Sequence, residues 1–238
     1  MKFKSKITNR LLKVIPGGSH TYSRGADTFP SNAPSILERG KGVYIFDNKG
    51  KKYLDYGMGC RSVNIGYAEN SINNAAIDAI KKGNNLTRPS NIELKAAELF
   101  VSLIDNADMV KFTKNGSTAV TAAVKLARAY TGKKIALRCA EQPFFSFDDW
   151  FIGSTKVPRG IPDETIKLTK QFHYNDIESL KKQILKYKNK IACVVLEPSS
   201  TECPKINKKD NSCCHKAVCD RHFKKKDHFL KQVEKICK

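Results

Sequence analysis

The 238-residue sequence has no run of eighteen apolar residues, so it contains no candidate membrane-spanning helix. It lacks an apolar leader core followed by a small-residue cleavage site, so no secretory signal is expected. The default compartment is then reducing and cytoplasmic, and its eight cysteines are not expected to form disulfides. It has neither a Walker phosphate loop nor a G-x-G-x-x-G dinucleotide turn. Acid is scarce: Asp+Glu number 23 against 43 Lys+Arg, for a net charge of +20. That excess gathers near the ends, with five cations and no acid in residues 1–15, and eleven cations against four acids in residues 205–238. A nucleic-acid surface usually sets basic side chains among aromatics in the folded body. Solvated basic termini are the expected reading, with no nucleic-acid partner and no membrane.

What is present describes a globular chain. Hydrophobic residues make up 40% and charged residues 28%, enough to bury a core. Pro16-Gly17-Gly18, Pro30 and Pro34 break residues 1–35 into a short helix, from Asn9 to Val14, and an irregular arm. Val43–Asp47 and Lys52–Tyr56 read as strands around Asn48-Lys49-Gly50, a hairpin in which Gly50 takes positive φ. Helices are expected over Asn70–Lys82, stopped by Gly83, and over Asn91–Ile104. From residue 108 short apolar runs alternate with helical patterns. Met109–Phe112, Ile135–Leu137 and a fully buried Ile191–Leu196 read as strands. Thr118–Tyr130 reads as a helix with Ala119, Ala122, Ala123, Leu126, Ala127 and Tyr130 on its packed face. Asn175 is the expected cap of a further helix reaching about Tyr187. The fold class that follows is α/β, with a mainly parallel sheet covered by helices on both faces.

Cys60, Cys139 and Cys193 stand among apolar neighbours and read as small core residues. Cys203, Cys213, Cys214, His215, Cys219 and His222 fall within twenty residues. Such soft ligands can hold a structural zinc, and Cys219-x2-His222 is the nearest thing to a ligand pair. The adjacent Cys213-Cys214 and the absence of any C-x2-C pair favour free thiols in a surface loop, and no metal ligand is assigned.

The chemically informative stretch is Met109-Val110-Lys111-Phe112-Thr113-Lys114-Asn115-Gly116-Ser117-Thr118. It runs from an apolar segment through a small polar turn into a helix. Free N–H groups at a helix N-terminus, with the helix dipole behind them, suit a phosphate dianion. Gly116 admits a close approach, and the Ser117 and Thr118 hydroxyls add donors. A simple N-cap reads the same way.

Several separated elements resemble the class III aminotransferases that use pyridoxal 5′-phosphate, in particular their glutamate-1-semialdehyde aminomutase-like branch. They are the Pro16-Gly17-Gly18 arm, the Gly42–Tyr56 hairpin, Asn115-Gly116-Ser117-Thr118-Ala119, Lys125-Leu126-Ala127-Arg128-Ala129-Tyr130-Thr131-Gly132, and Glu197-Pro198. The resemblance runs over roughly residues 8–200 and again over Phe229–Cys237. It implies that Gly116, Ser117 and Thr118 hold the cofactor phosphate, that Phe144 stacks on the pyridine ring, and that Glu197 lies near the cofactor. It also places Arg24 and Arg61 beside the substrate channel, where either could clamp a carboxylate. It divides the chain into an arm and hairpin (1–60), a partial cofactor-binding domain (61–202), a Cys/Lys-rich insertion (203–226) and the start of a helix (227–238).

The implied activity is an intramolecular amine exchange on a small amino-carbonyl substrate, by a homodimer. Departures from the family pattern are Thr118 in place of an acid, Phe144-Phe145-Ser146 in place of a Tyr-His-Gly-type stretch, and Ser199-Ser200 after Glu197-Pro198. The family's pyridine-pairing aspartate and Schiff-base lysine have no counterpart in residues 1–238, so a fragment is expected and no catalytic residue is assigned. The altered arm from Ser19 to Arg24 and the Cys60-Arg61 pair leave open an aminotransferase of another substrate, such as a keto-sugar. A noncatalytic anion-binding module is the remaining alternative.

Overall fold

The computed structural model describes residues 5–142, 144–198, 204 and 228–238. It forms two compact units, Met1–Ala96 and Ala97–Lys238. The Cys203–His222 cluster lies outside the described residues, apart from neighbouring Pro204. Among the described residues no helix is long and apolar enough to cross a membrane.

In the first unit, helix α1 (Lys6–Val14) begins where the Ser5 hydroxyl accepts the Thr8 N–H. An arm of short turns follows. Strands β1 (Leu37–Lys41), β2 (Tyr44–Asp47) and β3 (Lys52–Leu54) then form an antiparallel sheet in that order. The β2–β3 hairpin closes as its sequence predicts. Gly50 has φ +80°, and Asp47 Oδ1 accepts both the Lys49 and Lys51 N–H groups at 2.9 Å. Strand β1 has no counterpart in the sequence reading, because Leu37-Glu38-Arg39-Gly40-Lys41 carries little apolar alternation. A four-residue turn, α2 (Met58–Arg61), precedes α3 (Asn70–Lys81), and the division between the units falls within α4 (Asn91–Leu103).

The second unit contains α5 (Gly116–Thr131), β4 (Ile135–Cys139), α6 (Asp149–Ile152), α7 (Asp163–Ile166), β5 (Thr169–Phe172), α8 (Ile177–Lys186), β6 (Ile191–Val195) and α9 (Phe229–Cys237). Its sheet is parallel, in the order β5-β4-β6. All five residues of central β4 are buried. Period-2 alternation sends Ile135, Leu137 and Cys139 into one core with Phe172, Leu180, Phe229 and Val233, contributed by β5, α8 and α9. Ala136 meets Val124, Trp150 and Phe151 of α5 and α6 on the other face. The sheet is therefore covered on both sides, as expected for this class.

Four local expectations are corrected. Met109–Phe112 is not a strand: both end side chains are exposed and no described strand pairs with the segment. Strand β6 is half-buried along its length rather than fully buried, because among the described strands it stands at a sheet edge. Asp176, not Asn175, caps α8 by accepting the Ser179 N–H, while Asn175 takes φ +57°. Cys60 is exposed and Cys193 only partly buried, whereas Cys139 is in the core.

The packed face of α5 also differs from the expected one. Ser117, Val120, Thr121, Val124, Ala127 and Arg128 turn inward, and Ala119, Ala122, Ala123, Leu126 and Tyr130 turn outward. Leu126 is 70% and Tyr130 91% exposed. The alanines carry the apolar pattern, but the sheet takes the β-branched stripe. Leu126→Lys and Tyr130→Lys are accordingly expected to change stability by less than about 0.5 kcal/mol, whereas Val124→Ala costs roughly 1–3 kcal/mol. Urea midpoints of the three variants check this.

Candidate cofactor site

Helix α5 opens on Asn115, whose side-chain oxygen accepts the Thr118 N–H at 2.9 Å and the Thr118 hydroxyl at 3.0 Å. Thr118 therefore spends both its donors on the cap. No hydrogen bond among the described residues engages the Gly116 or Ser117 amides or the Ser117 hydroxyl. Among the described residues, a Cβ built on Gly116 would meet nothing within 4 Å beyond its chain neighbours and its own helix backbone. The first turn contains no acid, so no side chain of that turn offsets the positive end of the sixteen-residue helix dipole. Two open amides, an open hydroxyl and space beside a glycine are what a phosphate group needs.

The loop after β4 links this turn to the rest of the sheet end. Ser146 is fully buried, and its one hydroxyl proton has two acceptors within reach, the Ser117 carbonyl at 3.3 Å and Asp148 Oδ2 at 3.1 Å. The Thr121 hydroxyl donates to the same Asp148 oxygen at 2.5 Å and accepts from Trp150 Nε1 at 2.9 Å. Phe144, two residues before Ser146, is 62% exposed with its ring edge-on to Phe151 at 5.7 Å. At the other end of the loop, the Gln142 side chain clamps the backbone of Glu197. Its Oε1 accepts the Glu197 N–H at 2.6 Å, and its Nε2 donates to the Glu197 carbonyl. Glu197 Oε2 is buried and has no hydrogen-bond partner among the described residues. One loop thus joins Gly116–Thr118, Phe144 and Glu197 at the C-terminal ends of parallel strands, where open α/β sheets collect ligands.

Sequence reasoning missed Thr121, Gln142, Ser146 and Asp148. Ser146-Phe147-Asp148 is a turn-and-cap pattern that could have flagged the loop. Gln142 gives no local signal, because its partner is 55 residues away.

Beside this loop, Glu141 joins three elements. Its Oε1 meets His173 Nδ1 at 2.5 Å, and its Oε2 accepts from the Tyr174 N–H at 3.0 Å and the Cys139 thiol at 3.3 Å. Burial alone would raise its carboxyl, but the hydrogen bonds from Tyr174, His173 and Cys139 outweigh that and hold it down at about 2. Burial pushes the Cys139 thiol up to about 12, so it stays protonated. A depressed carboxyl stabilises the fold above the ordinary glutamate value of 4.5, and that contribution is lost as pH falls toward about 2. The pair is partly exposed, so solvent screening limits the effect to about 1 kcal/mol or less. Glu141→Gln is expected to lower the urea midpoint at pH 7, with the difference from wild type fading as pH falls below about 4.5. A difference independent of pH would contradict this.

Arg24 and Arg61 belong to the first unit, and both are exposed. Met58, Gly59, Cys60 and Arg61 all have positive φ, between 46° and 70°. Three of these are not glycine, so the turn is strained, and strain of this kind concentrates at functional sites. Asp55 holds the turn by accepting the Gly57 N–H at 2.8 Å, the Gly59 N–H at 3.3 Å and the Tyr67 hydroxyl at 2.6 Å. Hydrogen bonds from Arg24 and Ser23 draw the Cys60 thiol below its ordinary pKa. The structure thus brings Arg24 against the same turn that carries Arg61.

The chain belongs to the class-III aminotransferases: that family's profile matches residues 27–175. The family consists of enzymes that use pyridoxal phosphate. Among its relatives is the glutamate-1-semialdehyde 2,1-aminomutase of Francisella philomiragia subsp. philomiragia, 30% identical over 222 residues, which are 89% of this chain and 51% of that protein. The aminomutase of Wigglesworthia glossinidia brevipalpis is 33% identical over 211 residues. The chain therefore spans about half the length of the curated relatives it matches. Among solved structures, the PLP internal aldimine form of the FumI protein of Sphingopyxis sp. MTA144 superposes with a TM-score of 0.72 at 31% identity, over 81% of this chain and 45% of that one. A glutamate-1-semialdehyde aminomutase from Pseudomonas aeruginosa PAO1 shares the fold, with a TM-score of 0.67 at 16% identity over 83% of this chain and 44% of that one.

Proposed function

We propose that this chain carries the phosphate-gripping part of a pyridoxal-phosphate site, in a protein that moves an amino group on a small amino-carbonyl compound. The observation that carries the proposal is the open N-terminus of α5: among the described residues the Gly116 and Ser117 amides are unengaged, and no other segment comes within 4 Å of a Gly116 Cβ. The residues present fit the cofactor. The two amides and the Ser117 hydroxyl would hold its phosphate, and Thr118 would join by releasing its hydroxyl from Asn115. The exposed Phe144 ring offers an apolar face to the pyridine ring. The buried Glu197 oxygen, which has no hydrogen-bond partner among the described residues, would accept a hydrogen bond from it. Arg24 and Arg61 would bind a substrate carboxylate as bidentate donors. When bound, the cofactor supplies an electron-withdrawing ring that stabilises negative charge on the substrate carbon. The aminomutase relatives favour amine exchange within one molecule, on glutamate 1-semialdehyde. The setting we propose for it is a cytoplasmic homodimer.

The test uses pyridoxamine 5′-phosphate and pyridoxamine, which lack the aldehyde that reacts with surface lysines. Equilibrium dialysis of the 238-residue chain should show at least tenfold tighter binding of the phosphorylated form, with inorganic phosphate competing. Because the +20 charge attracts any anion, Gly116→Asp is the control. Equal affinity for the two ligands, or a preference unchanged in the control, would overturn the proposal.

A further inference from the structure

We propose that Thr121, Ser146 and Asp148 are positioning residues that set the aim of the Gly116 and Ser117 amides, an inference that rests on the phosphate-binding reading above. Ser117 and Thr121 are one helical turn apart on α5. Ser146 Oγ touches both, the Ser117 carbonyl at 3.3 Å and Thr121 Oγ1 at 2.9 Å. It therefore brackets the first turn of the helix from its inner face.

The bracket is anchored twice from its own loop. The Asp148 N–H donates to Ser146 Oγ at 3.1 Å, Asp148 Oδ2 accepts the Thr121 hydroxyl at 2.5 Å, and the single Ser146 proton is shared between that oxygen and the Ser117 carbonyl. Asp148 occupies the N-cap position of α6, yet makes no capping hydrogen bond to that helix. A carboxylate at such a position ordinarily accepts from its own helix. Here it reaches back to α5. Trp150 Nε1 donates to Thr121 Oγ1, so Thr121 has its lone proton left for Asp148. Thr121 has one donor and one acceptor, which fixes its rotamer, and buried Ser146 accepts from the Asp148 N–H while both acceptors of its own proton lie in the bracket.

The consequence is specific to phosphate. The outward side of the turn carries the open amides, and the inward side is held by three side chains that touch no ligand. Holding the turn removes the ordering that a bound anion would otherwise impose, and preorganisation of this kind raises affinity. Phosphate affinity should depend on the bracket, whereas affinity for the unphosphorylated ring should not.

The experiment measures dissociation constants of pyridoxamine 5′-phosphate and pyridoxamine for the 238-residue chain and for Ser146→Ala, Thr121→Val and Thr121→Ser. Far-UV circular dichroism and urea midpoints run in parallel. The expected result is that Ser146→Ala and Thr121→Val lower the ratio of the two affinities about tenfold, with pyridoxamine binding unchanged. Thr121→Ser, which keeps the hydroxyl, should restore the wild-type ratio. Thr121→Val is nearly isosteric and serves if Ser146→Ala does not fold. A wild-type preference for phosphate that persists in Ser146→Ala and Thr121→Val would overturn the positioning role while leaving phosphate binding intact. A wild type without any preference would instead overturn the underlying phosphate reading.

Discussion

Gly116→Asp is expected to abolish most of the preference for a phosphorylated ligand while leaving the fold as stable as before, or more so. Gly116 is outside the left-handed region, and among the described residues a Cβ there meets no other segment within 4 Å. The new side chain therefore fits without strain. Replacing glycine within a helix recovers roughly 0.5–1 kcal/mol of backbone entropy. A carboxylate in the first turn adds about 0.3–1 kcal/mol through the helix dipole. The same charge sits where the phosphate would go. Two unit charges at about 4 Å repel by roughly 4 kcal/mol at an effective dielectric of about 20. Even after screening, phosphate-dependent affinity should fall on the order of a hundredfold. Opposite signs on stability and binding separate this outcome from simple unfolding. A raised urea midpoint with undiminished binding would show that the phosphate sits elsewhere.

Leu137→Ala and Leu180→Ala should be the most damaging substitutions in the second unit. Both side chains are fully buried, and both belong to the core between β4, β5, α8 and α9. Truncation removes the transfer energy of the lost methyls and leaves a cavity that close packing cannot fill, at roughly 2–5 kcal/mol each. The chain's one tryptophan, Trp150, is buried on the opposite face of the same sheet, so its fluorescence reports unfolding of this unit. Urea titrations followed at Trp150 should place both variants well below wild type. A shift under about 0.5 kcal/mol would mean that this sheet is not the core of the unit.

How much of this was legible in the sequence depended on distance along the chain. The β2–β3 hairpin and the Gly83 stop use neighbours within a few residues, and each reads directly from residue type. The parallel sheet was legible because short apolar runs alternate with amphipathic helices. The face of α5 was not: its alanines and its valine–threonine stripe are both compatible with burial, and only the sheet decides between them. Met109–Phe112 shows the same limit, since an apolar run becomes a strand only when another strand pairs with it. In the candidate site, Gly116 and Ser117 were visible as a small polar turn leading into a helix, although the apolar run before it is not a strand. Gln142 and Ser146 were not, because their meaning lies in partners 55 and 29 residues away.

The central claim is that the Gly116 and Ser117 amides bind a phosphate ester. Amide nitrogen–proton correlation spectra of the 238-residue chain, titrated with pyridoxamine 5′-phosphate, address it directly. Those two amide signals should move downfield and saturate, inorganic phosphate should move them the same way, and pyridoxamine should leave them in place. If both stay still while the phosphorylated ligand is bound, the account is wrong.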